Sequence, residues 1–220
     1  MAPRSQPTGT DTKEKLVVAA TREFALRGYD GASLRQICSS AGVTTGALYF
    51  FFKNKEDLFR TVIDPVVTPM GAMLGEAGRK GSVLAFSADD ELAALALPGE
   101  NNVAHRFLEL CFDQRSLVQI MVKNRETAVV ESILDDASST LASNIKLHLE
   151  AHDIDLTLWD DFMVGWLADI ALDSVVGILE MDDTLEEARQ HMQIILEFIH
   201  GGCRALQARG VRGKGLPVGE

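Results

Sequence analysis

Along most of this chain apolar residues recur at three- and four-residue steps, the spacing of one helix face, and the alternation expected of strands is missing. The pattern predicts an all-α protein. Its first stripe is Leu16, Ala20 and Phe24, opened by a capping box of Asp11 with Glu14 and ended by Arg27-Gly28. A short second helix follows Ser33, whose hydroxyl can cap it while Gln36 returns a bond to the Ser33 amide. Gly42 closes that helix in the left-handed conformation, and Thr44 directly afterwards can accept from the free amides of a third. Ile37, Ala41, Val43 and Leu48 fall on the inner faces of the corner between the two. Residues 33–55 therefore read as a helix-turn-helix. The second helix of that pair is slim at Gly46 and Ala47, where a larger side chain would hold the backbone away from a base edge in a major groove. Asn54 then caps a fourth helix with Leu58, Phe59, Val62 and Ile63 on its buried face, and Lys55 stands at its start, within reach of a phosphate.

Beyond residue 60 the pattern is less regular. Pro65 and Pro69 predict a kink or an end in the fourth helix, and hence a hinge. Gly71, Gly75, Gly78, Gly81 and Pro98-Gly99 predict short helical pieces and loops across residues 71–102. Helical spacing resumes over 103–114, 115–152, 157–181 and 184–208. In the last of these Leu185, Ala188, Met192, Ile195, Ile199, Cys203 and Leu206 form one long stripe, and in the one before it Trp159, Phe162, Met163, Trp166, Ile170 and Val176 are apolar over more than one face. The two last helices are expected to pair with their copies across a two-fold axis, giving a homodimer through a four-helix bundle. A purely intramolecular core is the alternative, and it would leave a large apolar patch wet.

Residues 12–60 resemble the DNA-binding domain of the tetracycline-repressor (TetR) family of bacterial regulators. The likeness rests on Arg27-Gly28-Tyr29, Ser33, Ala41-Gly42-Val43, Gly46-Ala47-Leu48-Tyr49 and the run from Phe52 to Leu58, in that order. It implies phosphate contacts at Ser33, Thr44, Tyr49 and Lys55, and base-facing positions at Thr45, Gly46, Ala47 and Phe50. Phe50 and Phe51 depart from the family, where polar or ring-nitrogen side chains are common, so apolar contact with thymine methyls stands in for hydrogen-bond readout unless the rings pack on helix one. The resemblance also implies a small-molecule pocket in the body, with an apolar or aromatic effector. Phe107, Cys111, Phe112, Met121, Trp159, Phe162, Met163 and Trp166 are its candidate lining, an aromatic and sulfur-rich set, although aromatic stripes at helical spacing usually just pack as core. Asp169 and Asp173 share the Trp166 side of their helix, where they could hold a cationic ligand, cap a dimer-interface bond or simply face water.

The net charge of −11 changes the picture only once it is divided. Residues 1–60 carry nine Lys/Arg against six Asp/Glu, a surplus of +3, whereas residues 61–220 carry twelve against 26, or −14. A mildly basic head can neutralise phosphates while an acidic body repels them, which favours one orientation on a duplex and makes binding salt-sensitive. With 46% hydrophobic residues the chain can bury a substantial core. The expected division is a flexible arm over 1–10, the helix-turn-helix domain over 11–60, a helical ligand-binding and dimerisation body over 61–210, and a tail over 211–220.

Cys38, Cys111 and Cys203 lie far apart without metal-ligand spacing, as expected of buried thiols in a reducing cytoplasm, although oxidation of Cys38 could disturb the reader helix. The arm has no apolar signal segment. Residues 163–179 are the most apolar run, but Asp169 and Asp173 interrupt it, so no membrane span is expected. His148 and His152 flank Glu150 without the order of a zinc protease, and no nucleotide fingerprint or catalytic triad has a recognisable context; neither metal, cofactor nor enzymatic activity is expected. The sequence thus points to a cytoplasmic, sequence-specific transcriptional regulator, a repressor released from a palindromic operator by a small molecule. Its rivals are a small-molecule carrier with a non-functional head and a helical enzyme with a regulatory head.

Overall fold

The computed structural model describes residues 9–79, 103–151 and 158–213, and among them every element is helical. In chain order these are α1 (Gly9–Gly31), α2 (Leu34–Ala41), α3 (Thr45–Phe51), α4 (Lys55–Arg79), α5 (Val103–Asp113), α6 (Arg115–Lys123), α7 (Ala128–Ala151), α8 (Asp161–Met181) and α9 (Leu185–Gly213). They fall into two compact units. The head comprises the described residues up to Thr68 together with Gln114–Ser132, and the body comprises those of Pro69–Asp113 and from Ile133 onward.

In the head, α2 and α3 are eight and seven residues long, too short to persist alone, because helix nucleation costs more than two turns of hydrogen bonds return. Packing holds them. Leu16, Ala20 and Phe24 of α1, Ile37 of α2, Leu48 of α3, and Leu58, Phe59 and Ile63 of α4 are all buried without residual exposure. Each of the larger side chains stabilises the folded state by about 1.5–3 kcal/mol on leaving water. Phe59 meets Phe24 edge-on at 4.9 Å and Tyr29 at 5.0 Å, which joins both ends of the head around one aromatic cluster.

Several local expectations are revised. Asp11 does not cap α1 but lies in its first turn and pairs with Lys15 at 2.7 Å. The helical run does break at Gly28, as expected: that residue takes the non-helical φ +69° and ψ 178°, and a short further turn follows it to Gly31. α4 neither ends at Pro65 nor at Pro69, and it absorbs residues 71–79. The prolines are four apart, so their missing amides fall on one side of the helix, where Pro65 is exposed and Pro69 half-buried, while Val62, Ile63 and Val66 keep the same stretch packed on the core. The stretch expected as one helix over 115–152 divides into α6 and α7 around a turn in which the Thr127 amide donates to the Asn124 carbonyl at 3.0 Å. α6 packs on α1 within the head, with Val118, Ile120 and Met121 buried. Residues 80–102 and 152–157 lie outside the described residues.

The body core joins Leu141, Ile145 and Leu149 of α7 to Val164, Leu167 and Ala168 of α8 and to Ile199 and Cys203 of α9. Trp159 belongs to this core but precedes α8 rather than lying on it. Asp160 is the cap, accepting from the Met163 amide at 2.9 Å, so Trp159 and Val164 bracket the first turn as a hydrophobic staple. Thr184 and Glu187 form a reciprocal capping box that opens α9, which runs to Gly213, past the expected 208. α8 is, among the described residues, the one helix long and apolar enough to cross a membrane. Its apolar residues are divided between the body core and the surface of that unit, where Phe162 and Trp166 are exposed.

Candidate nucleic-acid interface

The corner between α2 and α3 is built as its residues dictate. Ser33 is extended and its hydroxyl accepts from the Gln36 amide at 3.4 Å. The reciprocal half of the expected capping box is absent: the Ser33 amide donates instead to the Glu23 carboxylate at 3.2 Å, a buried acid that also pairs with Arg27. Gly42 sits at φ +69°, ψ 31°, where the Val43 amide returns to the Cys38 carbonyl at 3.0 Å and α2 is closed. Thr44 is extended, and its hydroxyl accepts from the Ala47 amide at 3.2 Å.

α3 therefore has one buried and one open side. Leu48 is fully buried and Ala47 half-buried, whereas Thr45, Gly46, Tyr49 and Phe50 are exposed together with the cap Thr44. Phe50 is 82% exposed, the far end of a row of rings. It meets Phe51 edge-on at 5.0 Å, and half-buried Phe51 leads to buried Phe52 at 6.5 Å. The sequence left Phe50 and Phe51 with the same two choices, and the structure separates them, one outward and one leaning on the core.

Lys55 has partners within the head that its place at the start of α4 does not announce. Its ammonium donates to the carbonyls of Asp30 at 3.1 Å and Ala32 at 3.2 Å, and stands 4.7 Å over the Tyr29 ring. It ties the start of α4 to the end of α1. Arg35 and Lys53, exposed on either side of the corner, are cations that the sequence reading did not single out. Cys38 is buried under α3 against the Thr45 side chain, and burial pushes its thiol up, which disfavours the reactive thiolate. Cys203, in the body core, is pushed up to about 12 for the same reason.

The sequence also missed Asn124. Its side-chain carbonyl accepts from the Tyr29 amide at 2.6 Å and its amide donates to the Ile120 carbonyl at 2.6 Å, which fastens α6 to the left-handed step at Gly28. No short-range signal marks it, since its partner is 95 residues away.

The candidate lining of the body is dispersed. Cys111 and Trp159 are buried, and Phe107, Phe112 and Met163 are half-buried. Met121 is buried within the head unit instead. Phe162 and Trp166, 73% and 49% exposed, stand on the surface of the body unit. Asp169 accepts from the Ser138 hydroxyl of α7 at 2.6 Å, which accounts for one of the two carboxylates. His148 is buried in α7, while His152 lies outside the described residues.

Residues 16–62 match the family model of bacterial regulatory proteins, tetR family. Over 76 residues the chain is 34% identical to the HTH-type transcriptional repressor BepR of Brucella suis, a match that covers 34% of this chain and only 36% of that protein. Over 146 residues it is 31% identical to the HTH-type transcriptional regulator YhgD of Bacillus subtilis, covering 64% of this chain and 68% of the other. Among solved structures it is similar to SmeT, the repressor of the Stenotrophomonas maltophilia multidrug efflux pump SmeDEF, with a TM-score of 0.60 at 20% identity over 87% of this chain and 91% of that one. That last likeness is one of fold.

Proposed function

Since this chain belongs to the tetR family of bacterial regulatory proteins, with their DNA-binding helix-turn-helix, we propose that it is a cytoplasmic, homodimeric repressor that leaves a palindromic operator when a small molecule binds its body. The observation that carries the DNA half of this reading is the open side of α3, where Thr44, Thr45, Gly46, Tyr49 and Phe50 are exposed on a helix that Leu48 fixes to the core. One such helix spans only three or four bases, so a second copy about one DNA turn away is needed for a site of useful specificity. Ser33 and Tyr49 are assigned to phosphates beside it, with Lys55 fixing the α1–α4 join that sets their height.

Release follows from a two-state equilibrium in the separation of the two readers. An effector favours the non-binding state only by the difference in its affinity for the two states. Cys111, Phe112, Trp159 and Met163 are the body residues assigned to it, apolar and aromatic as the effector is. The test is fluorescence anisotropy of the full chain on duplexes from its own upstream region at several salt concentrations. Sequence-preferring, salt-sensitive binding is expected; binding with no sequence preference would favour the carrier reading. Apolar aromatic compounds are then titrated into the complex. Unchanged operator affinity at saturating occupancy of the body by every compound that binds would remove the effector half.

A further inference from the structure

Recognition of a base edge by two hydrogen bonds requires an amide, a guanidinium, an ammonium or a carboxylate. α3 exposes none of them. Its open side carries a threonine, a glycine, a tyrosine and a phenylalanine, with the cap Thr44 beside them. The Thr44 oxygen is engaged with the Ala47 amide, and a threonine hydroxyl offers only one donor to a base edge. The most prominent group is thus an apolar ring, Phe50, held out into water by Phe51 behind it and Phe52 in the core. A braced ring of this kind keeps its direction, and it gains only by meeting apolar surface. On the floor of the major groove the apolar group is the 5-methyl of thymine.

We infer that this protein selects its operator through pyrimidine 5-methyl groups, with Phe50 as the specificity-determining side chain. The inference rests on the DNA-binding reading above and adds the chemistry of the half-site. It requires thymines at the positions under α3, and it extends to 5-methylcytosine, which presents the same methyl.

The experiment starts from a pool of random duplexes enriched on the full-length chain. The preferred duplex is then synthesised with uracil in place of each half-site thymine, which removes the methyl and leaves the pairing unchanged. Each contacted methyl is expected to be worth about fourfold in affinity, the transfer of one such group from water. Phe50→Ala, at an exposed position, should bind the thymine and uracil duplexes equally, while Phe50→Leu should retain part of the preference. A duplex carrying cytosine at the same positions should gain about fourfold on 5-methylation. Equal binding of thymine and uracil duplexes by the unaltered chain would overturn the inference while leaving the regulator reading intact, and so would a preference that survives in Phe50→Ala. Enrichment of no preferred duplex at all would bring down both.

Discussion

At Gly28 the backbone takes φ +69° with ψ 178°, a combination in practice reserved for glycine, and a Cβ there would also stand 3.2 Å from the Asn124 side-chain oxygen. At Gly42 φ is again +69°, but ψ is 31°, the ordinary left-handed well, and a Cβ would meet nothing within 4 Å. The two glycines therefore differ in what they protect. Gly42→Ala is expected to cost about 1 kcal/mol of stability, the left-handed penalty alone. Gly28→Ala should cost about 2–3 kcal/mol, since strain is joined by a displaced amide. Urea unfolding of the two variants checks the order; equal losses would mean that Asn124 gives way freely. The glycine at 42 was legible as the close of α2 because its neighbours, Ser33 behind and Thr44 ahead, are caps. The one at 28 was legible as the break of the first helical run, whereas nothing local announces that a residue from α6 will hold the chain beyond it. The bonds of Lys55 were not legible for the same kind of reason: its carbonyl partners, at Asp30 and Ala32, are more than twenty positions back.

Among the elements, those fixed by local bonds and a stripe were foreseen, and those fixed by distant partners were not. α2, α3 and the start of α4 follow from Ser33, Gly42, Thr44 and Asn54, each of which caps or closes within four residues. Of the kink or end that Pro65 and Pro69 predict in α4, the end does not occur, because Leu58, Phe59, Val62, Ile63 and Val66 are buried along the same helix and outweigh the lost hydrogen bonds. α6 is the largest surprise, a helix grouped by sequence with the body that folds with the head. Asn124 is its anchor, and its two side-chain bonds make a clear prediction. Asn124→Ala leaves the Tyr29 amide without its acceptor and should destabilise the protein by about 1–3 kcal/mol. Asn124→Asp keeps that acceptor but turns a carboxylate oxygen toward the Ile120 carbonyl, so it should not restore full stability. Hydrogen exchange at Tyr29 reads the effect locally. An amide as protected in Asn124→Ala as in the unaltered chain would show that α6 is held by Val118, Ile120 and Met121 alone.

For the whole molecule the question is what covers the body's exposed rings. Phe162 and Trp166 are one turn apart on α8, and Ile194 and Phe198 one turn apart on α9, all exposed, with small Gly201, Gly202 and Ala205 in the next turns of α9. Two such stripes, with room for a close backbone approach, suit a helix pair that meets its own copy. The same helices carry exposed acids, among them Asp173, Glu186, Glu187 and Glu197, within a stretch of −14 net charge. Two acidic bodies repel, so added salt should leave the dimer unchanged or tighten it, while operator binding loosens as displaced counterions are restored. Opposite salt responses in one protein separate apolar self-association from charge-driven DNA contact. Phe198→Glu, at a position 81% exposed, should leave each protomer folded. It removes two buried rings per dimer and inserts two charges, which should weaken self-association by about a hundredfold or more. Operator affinity should fall with it, because one short reader cannot hold a palindrome. Sedimentation equilibrium and anisotropy at matched salt decide the matter: a Phe198→Glu protein that stays dimeric would place the two-fold contact elsewhere, and one that turns monomeric yet grips the operator unchanged would end the argument for paired readers.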